Sequence, residues 1–166
     1  GANKTNGLNV AVAGCGYWGP NLIRNFYSLS DCTMKTVCDK DQKRLDHMKS
    51  LYPKVETSRD FDEVISKNGI DAVVISTPVR FHYDMAKKSL EAGKHTFIEK
   101  PMATSTEQCK DLIRIAKEKK LTLMLGHTFV YSQPVRRIKE IYEWGDIGEI
   151  QYISSRRLNL GLFQTD

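Results

Sequence analysis

The chain has 166 residues, enough for one domain with a core of its own. Apolar residues make up 40% and charged residues 27%, an ordinary balance for a globular protein, and no apolar run approaches a membrane span. The net charge is +5, but the basic residues are scattered, and the run KEKK (117–120) falls at a helix end, where cations complement the helix dipole. This is a solvated surface and argues against nucleic-acid or membrane partners. The four cysteines, Cys15, Cys32, Cys38 and Cys109, show no C-x-x-C spacing and no accompanying histidine cluster. They predict reduced thiols in a cytoplasmic protein, with no metal centre and no disulfide frame. Residues 1–7 lack the apolar stretch of a secretory signal and are expected to be a disordered lead or a cloning remnant.

Apolar runs and helical periodicities alternate along the rest. LNVAVA (8–13) reads as a strand, followed by a helix with Leu22, Ile23, Phe26 and Leu29 on one side. MKTVCD (34–39) is a second strand, and Leu45, Met48 and Tyr52 mark the helix after it. VETS (55–58) is a weak third strand, and Asp60 with Glu63 forms a capping box for a short helix. DAVVIST (71–77) is a continuous apolar run of the kind found in buried parallel strands. Phe81, Met85, Ala86 and Leu90 then predict a helix that Gly93 stops. HTFIE (95–99) is a fifth strand. Thr104 and Glu107 read as another capping box, opening a helix with Cys109, Leu112, Ile113 and Ala116 on its core face. LTLMLG (121–126) is a sixth strand, Val135, Ile138, Ile141 and Tyr142 mark a helix ending near Gly145, and EIQYISSRRL (149–158) is a final strand. The alternation predicts an α/β fold, a Rossmann-type doubly wound parallel sheet with helices on both faces. Such sheets bind ligands beyond the carboxyl ends of their strands.

The residues just after each predicted strand carry chemistry. Gly14, Gly16 and Gly19 fit G-x-G-x-x-G after strand one, with Tyr17 and Trp18 inside the motif. The first glycine permits a tight turn, the second lets a pyrophosphate approach the backbone, and the third lets helix and strand pack closely. The helix N-terminus offers unpaired N–H groups to phosphates. Strand two ends at Asp39, 20 residues past Gly19, where a carboxylate can accept from ribose hydroxyls and repel a 2′-phosphate; this favours NAD over NADP, a preference softened by Lys40 and Lys43. Ser76, Thr77 and Pro78 end strand four, where small hydroxyl residues can contact ribose or phosphate. His82 is equally a cofactor contact and a capping or packing histidine. Glu99 could bond the nicotinamide ribose, and Lys100 could face a substrate beside the ring, whose positive charge favours a neutral amine able to take a hydroxyl proton. Spacing alone leaves Glu99 and Lys100 equally open to being a surface ion pair.

VAVAGCGYWG, ISTPVRFHYDMAKKSLEAGKHTFIEKPMA and the helix that follows resemble the Gfo/Idh/MocA oxidoreductases, over residues 8–160. The resemblance implies a catalytic or substrate-positioning role for Lys100, a cofactor site lined by Thr77, Pro78, His82 and Glu99, and a cis Lys100–Pro101 bond. GYWGPN and the tail SSRRLNLGLFQTD look most like the branch that oxidises the 3-hydroxyl of a UDP-N-acetylhexosamine or its uronic acid for cell-surface polysaccharides. Members of the family are roughly twice this length. Their added α+β domain covers the site, forms the oligomer interface and carries a histidine in an Asp-x-x-x-His pattern, which none of His47, His95 and His127 fits. The family often has an arginine near HTFVYS (127–132), where this chain has none. The implied organisation is a dinucleotide-binding domain over 8–148 and the first strand of a truncated second domain over 149–166. Such a half binds NAD(H) with little or no turnover of its own, the complete enzyme being a homo-oligomer acting on a small molecule. The competing reading is a stand-alone NAD(H)-binding sensor or interaction domain.

Overall fold

A computed structural model describes residues 7–16, 19–27, 32–126 and 153–154. Its strands are β1 (Leu8–Ala13), β2 (Cys32–Cys38), β3 (Glu56–Ser58), β4 (Ala72–Ile75), β5 (His95–Glu99), β6 (Leu123–Gly126) and β7 (Ile153–Ser154). The helices are α1 (Gly19–Tyr27), α2 (Gln42–Leu51), α3 (Phe61–Ser66), α4 (His82–Glu91) and α5 (Thr106–Glu118), with a 3-10 turn at Val79–Phe81. The strands form one parallel sheet in the order β3-β2-β1-β4-β5-β6-β7. The chain runs outward from β1 to β3 and then returns to β4 on the other side of β1. The crevice between the ends of β1 and β4 is therefore the topological switch point.

Side chains of successive strand residues leave opposite faces of the sheet, so an unbroken apolar strand serves two cores. Val10, Val12, Ala72, Val74 and Phe97 pack into one cluster with Ile23, Leu45 and Met48. Ala11, Ala13, Val73, Ile75 and Ile98 pack into the other with Val64, Ala86, Leu90, Leu112 and Ala116. Truncating a fully buried Leu90 or Leu112 to alanine would cost about 2–5 kcal/mol.

The ends differ from the sequence reading in ways that have local causes. β2 begins two residues earlier, at Cys32, and Asp39 falls just beyond it. The backbone N–H of Leu121 is taken by Ala116 O at the end of α5, which delays β6 to Leu123. β4 is shorter than the predicted 71–77, and Asp71 instead accepts from the N–H of Asn9 with its carboxylate. Asp60 caps α3 as predicted by accepting from Glu63 N, while the Glu63 carboxylate accepts from Ser58 Oγ. The α5 box is displaced by one residue: Ser105 is the cap and accepts from Gln108 N, and Gln108 Oε1 accepts from Thr104. Cys109 is half-buried at the edge of the second core rather than inside it. Gly93 ends α4 with a φ of 79°, a conformation that favours glycine.

Phe81 precedes α4 instead of packing beneath it. It is 36% exposed, with the cations of Arg80 and Lys40 over its ring. Of the predicted first-helix stripe, Ile23 is fully buried, and nothing is described for the side chains of Leu22, Phe26 and Leu29. Residues 1–6, the predicted helix around Val135 to Tyr142, the stretch 127–132 and the tail lie outside the described residues. Of the predicted strand 149–158, the described Ile153 and Ser154 pair with Met124 and Leu125 as β7.

Candidate functional site

The carboxyl ends of β1, β2, β4 and β5 open into one cleft of about 1030 Å³. This is at the upper end of the roughly 300–1,000 Å³ usual for small-molecule sites. Gly14, Gly16, Asp39, Lys40, Ser76, Thr77, Pro78, His82, Glu99 and Lys100 all line it, so ten of the predicted site residues come together. Gly19 is the first residue of α1, and Tyr17 and Trp18 lie outside the described residues.

The two cleft-lining glycines do different work. Gly14 has a φ of 101°, and a Cβ there would sit 2.5 Å from the carbonyl oxygen of Ser76. Its N–H donates to Cys38 O at 2.8 Å, so the turn bridges the ends of β1, β2 and β4. At Gly16 an added Cβ would meet, among the described residues, only the Arg44 guanidinium, at 3.7 Å. Among the described residues no contact demands a glycine there, whereas a pyrophosphate lying on the turn would. This open cradle fits a dinucleotide.

Asp39 does more than its spacing suggested. One carboxylate oxygen accepts from Cys15 N at 2.7 Å and the other from Asp41 N at 2.8 Å. It therefore braces the glycine turn as well as facing the cleft. Arg44 lies 3.8 Å from the same carboxylate and was missed in the sequence, as was Arg59, which donates to Lys40 O. A signal for Arg44 existed: it stands in the first turn of α2, and helical side chains lean toward the N-terminus, here toward the glycine turn. The ribose end thus combines the Asp39 carboxylate with the cations Lys40, Arg44 and Arg59, and Asp60 and Asp62 line the cleft beside Arg59. The neighbouring thiols of Cys15 and Cys38 are each pushed up to about 12, by burial first and then by the Asp39 charge, which leaves them protonated and unreactive.

At the other end, Ser76 Oγ donates to Glu99 Oε2 at 3.0 Å and couples the β4 and β5 loops. Lys100 is held by its own N–H, which donates to Gly126 O at the end of β6. The Lys100–Pro101 bond is cis, as the resemblance implied. Thr77 Oγ1 donates to Met85 Sδ, and the His82 ring is buried with both nitrogens engaged by backbone carbonyls. What His82 does for a ligand therefore passes through the loops it holds. Lys94 and His95, which belong to the same run that carries the family resemblance, sit at the amino end of β5, away from the cleft. Lys94 Nζ donates to the carbonyls of Lys67 and Ile70 at 2.7 Å each, and His95 Nδ1 accepts from Thr122 N.

A parallel sheet in this order, with a glycine turn at its switch point and an acid after β2, defines a dinucleotide-binding domain of Rossmann type. A family profile described as "Oxidoreductase family, NAD-binding Rossmann fold" matches residues 8–127. The chain belongs to that family, Gfo/Idh/MocA. An uncharacterized oxidoreductase of Streptococcus pneumoniae is 31% identical over 150 residues, 90% of this chain and 40% of that protein. The 2,7-anhydro-N-acetylneuraminate hydratase of Escherichia coli is similar to the same degree, with the same coverage. Among solved structures, scyllo-inositol dehydrogenase from Lactobacillus casei with bound NAD(H) and scyllo-inositol matches with a TM-score of 0.70 and 26% identity, over 86% of this chain and 43% of that one. The chain thus spans about 40% of the length of these curated relatives. No helix among the described residues is long and apolar enough to cross a membrane.

Proposed function

We propose that the chain is the cofactor-binding half of an NAD-dependent dehydrogenase that oxidises a sugar hydroxyl, the sugar being carried on a nucleotide. The full enzyme would act in the cytoplasm as a homo-oligomer, in polysaccharide biosynthesis. The observation that carries the reading is the delivery of Lys100 and Glu99 into the same cleft that the glycine turn opens. The nucleotide-sugar part is supported by the likeness of GYWGPN and the tail SSRRLNLGLFQTD to that branch of the family.

In this reading the Gly14–Gly16 turn and the N-terminus of α1 hold the pyrophosphate. Asp39 accepts from the adenosine ribose, and Ser76, Thr77 and Pro78 form the wall between the two halves of the cofactor. Glu99, steadied by Ser76, accepts from the second ribose. Bound NAD supplies a hydride acceptor for the alcohol carbon. Lys100 orients the substrate hydroxyl and takes its proton, a contribution of about 10²–10⁴ in rate for a positioned base.

The test is Lys100→Ala in the full-length protein. Turnover should fall about a hundredfold or more, with NAD binding by calorimetry retained. Unchanged turnover would remove Lys100 from the chemistry. Asp39→Ala should weaken NAD binding about tenfold or more, since it deletes a charged acceptor. NAD binding to the full-length protein with no turnover on any sugar would favour a sensor instead.

A further inference from the structure

The charges at the ribose end of the cleft fall into two groups. The first is engaged by the protein itself. The Asp39 side chain is 9% exposed, each of its oxygens accepts from a backbone N–H, and the more exposed Arg44 guanidinium stands 3.8 Å from it. The Asp60 carboxylate accepts from Glu63 N at the start of α3, and Asp62 pairs with Lys88 at 3.0 Å. The second group is Lys40 and Arg59, which among the described residues pair with no carboxylate. The Lys40 ammonium lies 5.5 Å from the centre of the Phe81 ring. Arg59 donates from Nε to Lys40 O at 3.1 Å, and among the described residues no hydrogen bond engages its two terminal nitrogens. Asp39 N donates to Ser58 O, which brings the start of the Arg59 loop beside the end of β2, and both cations line the cleft there.

We propose that Arg59, Lys40 and Arg44 form a seat for a phosphate on the 2′-hydroxyl of the adenosine ribose, so that the cleft takes NADP as well as NAD. The proposal rests on the reading of the cleft as a dinucleotide site. An acid after β2 ordinarily disfavours a 2′-phosphate, because two anions would meet. Here that acid is nearly buried behind two backbone amides, and the Arg44 guanidinium beside it offsets its charge. The terminal nitrogens of Arg59 offer a planar fork that matches two phosphate oxygens, and Lys40 adds a compact positive charge on the adjoining loop. Asp39 is left to accept from the 3′-hydroxyl. Asp84, which lines the cleft from the first turn of α4, is the carboxylate that opposes the seat.

The test is calorimetry of the full-length protein with NAD and with NADP, at about 0.1 M and about 1 M salt. NADP should bind within about tenfold of NAD at the lower salt. The ratio of NADP to NAD affinity should fall at least about threefold at the higher salt, because exposed cations hold the added phosphate and their reach shrinks from about 10 to about 3 Å. Arg59→Gln should lower that ratio about tenfold or more, and Arg44→Gln should lower it too by leaving the Asp39 charge unopposed. Adenosine 2′,5′-bisphosphate should displace NADP better than 5′-AMP does, which assigns the added affinity to the 2′-phosphate. NAD binding with NADP more than about tenfold weaker would overturn the seat and leave the dehydrogenase reading standing. A ratio unmoved by both arginine substitutions would overturn it as well. A folded protein that binds neither cofactor would overturn the seat and the dehydrogenase reading together.

Discussion

Replacing Gly14 and Gly16 separately by alanine should divide folding from binding. At Gly14 the methyl would lie 2.5 Å from Ser76 O, and the φ of 101° is one that alanine adopts with strain. The obstacle is backbone in the centre of the sheet and cannot swing aside. The conformational strain is about 1–3 kcal/mol, and relief of the clash requires the β1 and β4 ends to separate, so Gly14→Ala should lose about 2–4 kcal/mol of stability. At Gly16 the methyl would meet, among the described residues, only the Arg44 guanidinium at 3.7 Å, and the backbone is outside the positive-φ region. Gly16→Ala should then leave stability unchanged or raise it by up to about 1 kcal/mol, because alanine restricts the unfolded chain. The same methyl would occupy the place offered to the pyrophosphate, and NAD affinity should fall at least tenfold, about 1.4 kcal/mol. Urea unfolding gives the first quantity and calorimetry with NAD the second. A Gly16→Ala protein that is folded and binds NAD as the unaltered chain does would refute the placement of the pyrophosphate.

Two further predictions concern the amino end of β5. Lys94 is 7% exposed, and Lys94→Met would remove the ammonium donor from the carbonyls of Lys67 and Ile70, leaving Lys67 O with the N–H of Ile70 alone. The expected loss is about 2 kcal/mol, or roughly 4–8 °C in Tm, with NAD binding intact; an unchanged melting curve would contradict it. Burial lowers the pKa of His95, Asp71 partly opposing, and the ring accepts a hydrogen bond that requires it neutral. The unfolded chain therefore binds the extra proton first, and this contribution to stability is lost as the pH falls below the ordinary histidine value of 6.5. Between pH 7 and 5, His95→Gln, which can accept from Thr122 N without titrating, should show a flatter dependence of Tm on pH than the unaltered chain. Parallel curves would remove His95 as the cause.

The parts of the fold that were legible in the sequence are those with local causes. The glycine turn, the acid after β2, the Asp60 cap and the stop at Gly93 each need a residue type at one place, and each was read correctly. The α5 cap was misplaced because Thr104, Ser105 and Thr106 offer three adjacent hydroxyls, and only the backbone geometry selects Ser105. Phe81 was misread because Pro78 opens a 3-10 turn that moves the start of α4 to His82. The working contacts of the site are non-local. Ser76 meets Glu99 and His82 meets Pro101 across 23 and 19 residues, and no periodicity in the chain announces either. Lys94 and Lys100, six residues apart, separate by function, because β5 (His95–Glu99) lies between them and puts Lys94 at its amino end and Lys100 at its carboxyl end.

The central claim is that the carboxyl ends of β1, β2, β4 and β5 form a dinucleotide site. Titrating NAD(H) into the nitrogen-15-labelled chain and following its backbone amides tests this most directly. Saturable shifts are expected at Gly14, Gly16, Asp39, Ser76, Thr77, Glu99 and Lys100, with Gly93, Lys94 and His95 unmoved. A folded chain that shows no shifts, or shifts only at the amino ends of the strands, would contradict it.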